Sequence, residues 1–133
     1  MTGQRLTPAQ ANATLPLVRA IVVDVVDLTD RLERAEAAYA AERKRVEPSQ
    51  HTLNDAHDVV RKLRAELRCC SIELSGLSVR IEDPAAGVVD FAGELDGAPV
   101  LLCWRLGEPQ LEAWHSEGET AAARRMLPDV VPA

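Results

Sequence analysis

Aromatic side chains are almost missing from this 133-residue sequence: two Trp, one Tyr and one Phe, 3% of the chain. A core built without them must be aliphatic, and 47% hydrophobic residues supply the material for one. Three of the four aromatics (Phe91, Trp104 and Trp114) lie beyond residue 90, which separates two regions. Glycine is scarce, seven in all, so a phosphate-cradling loop has little to be made from. No P-loop, GxGxxG, HExxH, CxxC or GxSxG spacing occurs. Three cysteines, an odd number, do not suggest a disulfide framework. The longest strongly apolar run, AIVVDVV, is far short of the ~20 residues a membrane span needs, and Asp24 interrupts it. The opening MTGQRLTPAQ has no apolar segment of the secretory kind, so a cytoplasmic protein is expected, with no membrane partner. There is no basic excess either. The net charge is −6, and the clusters Arg43-Lys44-Arg45, Arg61 to Arg68 and Arg124-Arg125 are interleaved with acids or sit on helical faces. They read as solvated faces, and nucleic acid is not an expected partner.

What is present is strong periodicity. Thr7, Pro8 and Gln10 form a capping box with proline at the first helical position, where its missing N–H costs nothing. Pro16 follows inside the helix and should bend it near Asn12–Ala13. From Leu15 the apolar stripe runs Val18, Val22, Val25, Thr29, Leu32, Glu36, Tyr39, widened by Ile21, Val26 and Leu28. The helix is predicted to reach about Val46, with Pro48 as the stop. A second helix, capped at Thr52, carries Leu53, Ala56, Val60, Leu63, Leu67, Cys70 and Leu74 in strict three-four alternation and ends at Gly76. At ~1.5 Å per residue the first helix spans roughly 57 Å and the second roughly 35 Å, so the first overhangs. The overhang and the wide stripe point to self-association through helix one, most simply as a dimer.

After Gly76 the period changes to two. LSVRI, VVDFAGEL, APVLLCW and QLEAWH read as strands, joined by DPAAG, a DG hairpin turn and LGEP. The expected architecture is α+β. It is one domain over 1–133: a long, coiled-coil-like antiparallel helical hairpin (7–75), a small antiparallel β-meander of three to four strands (76–116), and a C-terminal tail (117–133) with a short helix around Thr120–Leu127.

Chemistry-bearing residues concentrate in CWRLGEPQLEAWH, Cys103 to His115. Glu112 and His115 have the Glu-x-x-His spacing of a di-iron helix. In a strand, however, residues three apart face opposite sides, and the spacing occurs only once. A two-residue turn at Gly107-Glu108 sets Cys103 opposite Glu112 and puts His115 on the core face with Val100, Leu102, Trp104, Leu111 and Ala113. A three-residue turn slips that register, and the sequence leaves both open. Asp90, Cys103, Glu108 and His115 are the candidate metal set, of donor types suited to a divalent transition metal such as Zn, Fe or Ni. Asp90, Arg105, Glu108 and Trp114 are the candidate set for a small anionic ligand. Cys103 as nucleophile with His115 as base is a remote third reading. Cys69-Cys70 reads as buried small hydrophobes, and His51 and His57 as surface residues.

Two segments resemble the DUF2203 family, bacterial proteins of unknown function. LTPAQANATLPLV (6–18) is similar to its helix-opening signature. GVVDF (87–91), LLCWRLGEP (101–109) and Trp114-His115 are similar to its C-terminal signature. The resemblance puts weight on Asn12, Pro16, Asp90, Phe91, Cys103, Trp104, Arg105, Gly107, Glu108, Trp114 and His115. Gln110 and Ala92 depart from the pattern, and Glu112 lies outside it. The resemblance implies no activity. The residues favour a non-enzymatic, self-associating interaction or scaffold protein, with a metal or small-anion site at the sheet end as the alternative.

Overall fold

The computed structural model describes residues 4–128. Two long helices come first, α1 (Pro8–Arg43) and α2 (Gln50–Ser75). Among the described residues an antiparallel sheet follows, in the order β1 (Val79–Asp83), β2 (Val88–Leu95), β3 (Ala98–Arg105), β4 (Ala113–His115), β5 (Arg125–Met126). This is the α+β hairpin-then-meander architecture the periodicities call for.

The capping box at α1 forms as expected, with Gln10 N–H donating to Thr7 and Thr7 N–H donating to the Gln10 side chain. The helix runs through Pro16 without interruption. It ends at Arg43, short of Val46, because Glu42 is buried against the turn, where its carboxylate accepts from Ser49 N–H and Arg45. The cap of α2 is Ser49, three residues before Thr52, and its hydroxyl accepts the Thr52 N–H. Along α2 the seven stripe residues are buried or half-buried and every other residue is exposed.

The proximal half of α1 packs on two sides. Ala11, Leu15, Val18, Ile21, Val22 and Val25 form one cluster with Leu74 of α2 and with Val79, Val89, Phe91, Val100, Leu102 and Trp104 of the sheet. Trp104 is fully buried, and its indole N–H donates to the Glu108 carbonyl. Leu111 joins the cluster, and its N–H donates to Asn12 Oδ1, tying the β3–β4 loop to the first turns of α1. Strands β2 and β3 are joined by a two-residue turn at Asp96-Gly97, both at positive φ (52° and 80°), as the DG signal requires.

The tail departs from expectation. Only Ala121–Ala123 is helical, as a single 3-10 turn, and Arg125–Met126 then adds a strand beside β4. The rest of the tail, 129–133, lies outside the described residues. No helix among the described residues is long and apolar enough to cross a membrane.

Candidate metal centre

The sheet has an inner face, which meets the helices, and an outer one. Alternation along the strands sends Val89, Phe91, Leu102 and Trp104 inward, and Asp90, Leu101 and Cys103 outward. The register aligns Arg80, Asp90, Cys103 and Ala113 in one row across β1–β4 and Ala92, Leu101 and His115 in the next. His115 is therefore on the outer face with Cys103. This resolves the register that the turn left open. Cys103 pairs with Ala113, not Glu112, so the two-residue-turn pairing is slipped by one and His115 and Trp114 exchange faces.

The outer face brings four donors together. Single ligand atoms of Glu82, Asp90, Cys103 and His115 all lie within 4.8 Å of one another. Asp90, Cys103 and His115 are essentially inaccessible, and Glu82 is partly covered. Glu82 is the extra residue of a β-bulge between Ile81 and Asp83. Bulges commonly re-aim a side chain. The 3-10 turn of the tail crosses the same carboxylate, with Ala121 N–H donating to Glu82 Oε1 at 2.7 Å.

The imidazole is oriented by its own chain. Nδ1 lies 3.0 Å from the Ser116 carbonyl, which can only accept, so Nδ1 carries a proton. Nε2 then points into the cluster, 2.9 Å from Asp90 Oδ1 and 3.5 Å from Glu82 Oε2. A metal-ligating histidine held through its other nitrogen has this arrangement. One proton on Nε2 satisfies Asp90 Oδ1. Among the described residues, Asp90 Oδ2 and Glu82 Oε2 remain buried with no hydrogen-bond partner. Arg80 approaches Asp90 Oδ2 to 3.6 Å.

The titration behaviour follows from this crowding. Burial raises the Asp90 carboxyl above its ordinary range, and the pull of His115 only partly offsets it. Burial opposes charging of His115, but the Ser116 carbonyl and the Asp90 and Glu82 carboxylates outweigh it and raise the imidazole above its usual value. Burial pushes the Cys103 thiol up to about 12, although nearby Arg124 pulls it down. A thiol held protonated is a poor nucleophile, and the His115 nitrogen that faces the cluster bonds Asp90.

Three of the four residues in the predicted metal set, Asp90, Cys103 and His115, meet here, and Glu108 does not. Glu108 closes the turn after β3. Its carboxylate accepts Arg105 N–H at 2.8 Å and both contacts of Arg124, at 2.8 and 3.0 Å. Those bonds spend the carboxylate locally, and Glu82 is the second acid of the cluster instead. The set Asp90, Arg105, Glu108 and Trp114 is not drawn into one pocket. Arg105 is exposed at the strand end, and Trp114 pairs with Leu102 on the inner-facing row, half-buried under Arg125. Glu82 escapes sequence reading when β1 is ended at Ile81. Period two from Arg80 would have set it on the same face as Asp90.

The donor set suits a borderline divalent ion. One thiolate, one imidazole and two carboxylates are ligands that Zn²⁺ and its neighbours accept. Bond lengths of ~2.0–2.3 Å set tetrahedral ligand atoms roughly 3.3–3.7 Å apart. Donor atoms within 4.8 Å of one another would close on such an ion by a contraction of up to about 1 Å. Three anionic ligands around a +2 ion leave one negative charge, and the positive charge of nearby Arg124 acts on the Cys103 end of the cluster.

No curated protein and no solved structure matches the chain. A family described as "Uncharacterized conserved protein (DUF2203)" matches residues 5–127, a span that takes in both helices, the sheet and all four clustered donors, and the chain belongs to that family.

Proposed function

We propose that this protein binds a divalent transition metal (Zn²⁺, Fe²⁺ or Ni²⁺) through Glu82, Asp90, Cys103 and His115. The reading is carried by one observation. Two buried carboxylate oxygens without a partner stand beside an imidazole nitrogen whose ring is held from its far side. Burying an unpaired carboxylate oxygen is costly, and a bound cation removes that cost at both atoms. Binding releases the Cys103 proton, so affinity rises with pH. The test is elemental analysis of protein purified without chelator, followed by a thermal-shift series. Near one equivalent of metal is expected. Metal at 100 times its Kd should add about 2.7 kcal/mol, roughly 10 °C for a chain of this size. Protein that carries no metal and does not respond to Zn²⁺, Fe²⁺ or Ni²⁺ overturns the reading.

A second reading is self-association through the helical hairpin, as a scaffold. Leu17 and Val23 of α1 and Val59 and Ile72 of α2 are large apolar side chains at least 49% exposed. Beyond Thr29, the only buried residue of α1 is Glu42. Two helices bury one stripe between them and leave their outer sides open. Sedimentation equilibrium at micromolar concentration should give a dimer, and a monomer across that range removes the reading.

A further inference from the structure

The outer face continues past the cluster into a groove of about 260 Å³, lined by Ser75, Ser78, Arg80, Ala92, Leu101 and, at the shared boundary, Asp90. Val79 and Glu117 complete the lining, and Glu117 is already paired to Arg5 at 2.7 Å. We infer that this groove binds a small organic carboxylate, with Arg80 as its anchor, when the adjacent cluster holds its metal. The inference rests on the metal reading above.

The chemistry runs as follows. Arg80 is the cation of the lining that has no hydrogen-bonded acid among the described residues. Its side chain is 70% exposed, and its guanidinium stands 3.6 Å from Asp90 Oδ2, too far for a good bond. A planar guanidinium recognises a carboxylate through two parallel bonds. Ser75 and Ser78 are polar residues of the lining, and Val79, Ala92 and Leu101 are its apolar ones. A short alkyl group covers apolar lining, whereas inorganic phosphate leaves it bare. The volume lies below the ~300–1,000 Å³ of drug-sized sites, so the ligand is small.

Asp90 links the two sites. Without a metal, its carboxylate is the negative charge that Arg80 faces. A metal that takes Asp90 Oδ2 as a ligand removes the acceptor that Arg80 faces, and the guanidinium is then free to turn to the groove. Metal should therefore strengthen carboxylate binding, and by linkage the carboxylate should strengthen metal binding by the same factor.

The test is an amide-NMR titration of the zinc-loaded, full-length protein with propionate, its zinc content verified first by elemental analysis. Saturable shifts are expected at Ser78, Arg80, Ala92 and Leu101. Binding should be roughly tenfold weaker in the zinc-free protein, within the 5- to 150-fold usual for such coupling. Arg80→Gln should lose a similar factor while retaining zinc, since its side chain is exposed and is not a donor of the cluster. Zinc-loaded protein that shows no saturable shift overturns the inference and leaves the metal reading intact. So does propionate binding that is equal in Arg80→Gln. Inorganic phosphate that shifts the same amides as strongly as propionate overturns the carboxylate assignment. Protein that takes up none of Zn²⁺, Fe²⁺ or Ni²⁺ removes both readings together.

Discussion

The two faces of the sheet are made by the same strands and are both buried, yet they are built on opposite terms. The inner face carries Val89, Phe91, Val100, Leu102 and Trp104 and is held by apolar burial against the helices. The outer face carries Asp90, Cys103 and His115, each 1% exposed or less, under a tail that contributes one 3-10 turn and two strand residues. Burying Trp or Phe lowers the free energy whatever its neighbours are. Burying Asp and His does so only when each polar atom is matched. The inner face is therefore complete as it stands, and among the described residues the outer face leaves two buried carboxylate oxygens unmatched, which the proposed cation would satisfy.

Breaking the inner face should have the largest effect. Trp104→Ala should cost about 3–5 kcal/mol in denaturant unfolding, equally with and without metal, because the loss is cavity formation against α1. A variant whose loss is much greater in the metal-bound form would tie Trp104 to the outer site. On the outer face the ranking should invert. His115→Gln and Asp90→Asn should each weaken zinc binding at least 100-fold in chelator competition. In the metal-free protein they should cost less than Trp104→Ala, about 1–3 kcal/mol. Metal affinity unchanged in both variants would leave the outer face as a structural network only.

Smaller effects locate the boundary of the site. Glu108→Gln removes a charge that holds Arg105 N–H and Arg124. It should destabilise by about 1–2 kcal/mol and leave zinc affinity within a few-fold, which a loss comparable to that of Asp90→Asn would contradict. The smallest signal is kinetic. Cys103, buried with its thiol pushed up to about 12, should react with a thiol reagent far more slowly than exposed Cys69 at neutral pH. Fast labelling at Cys103 would revive the nucleophile reading.

Much of this fold is legible in the residues, for identifiable reasons. The stripe of α2 is legible because that helix packs on one side only, so burial has a single period. The DG turn is legible because its two positive φ angles demand those residue types. The register of β4 is not legible. It depends on how residues 106–112 are laid between Trp104, which bonds Glu108, and Leu111, which bonds Asn12. Both are contacts at long range or across the loop, and no local pattern encodes them. The fifth strand is hidden for a similar reason. TAAARRML has helix-forming composition, but Leu127 N–H is taken by the Glu112 carbonyl and Arg125–Met126 pairs with β4, and this tertiary pairing overrides the local preference. At the candidate site, Asp90, Cys103 and His115 stand out as polar residues in apolar strands. Glu82 does not, because the bulge sits at the boundary between strand and turn.

The loop between β3 and β4 has a further consequence. Strand faces alternate, so the number of residues in the loop decides by odd or even which side each later side chain takes. With residues 106–112 between the strands, His115 shares a side with Cys103 and Trp114 shares one with Leu102. Removing one loop residue would preserve every side chain of the cluster and still present an indole where the imidazole belongs. Shortening the loop by two would restore the sides. For this site, the parity of a loop length is as binding a requirement as the identity of the donors.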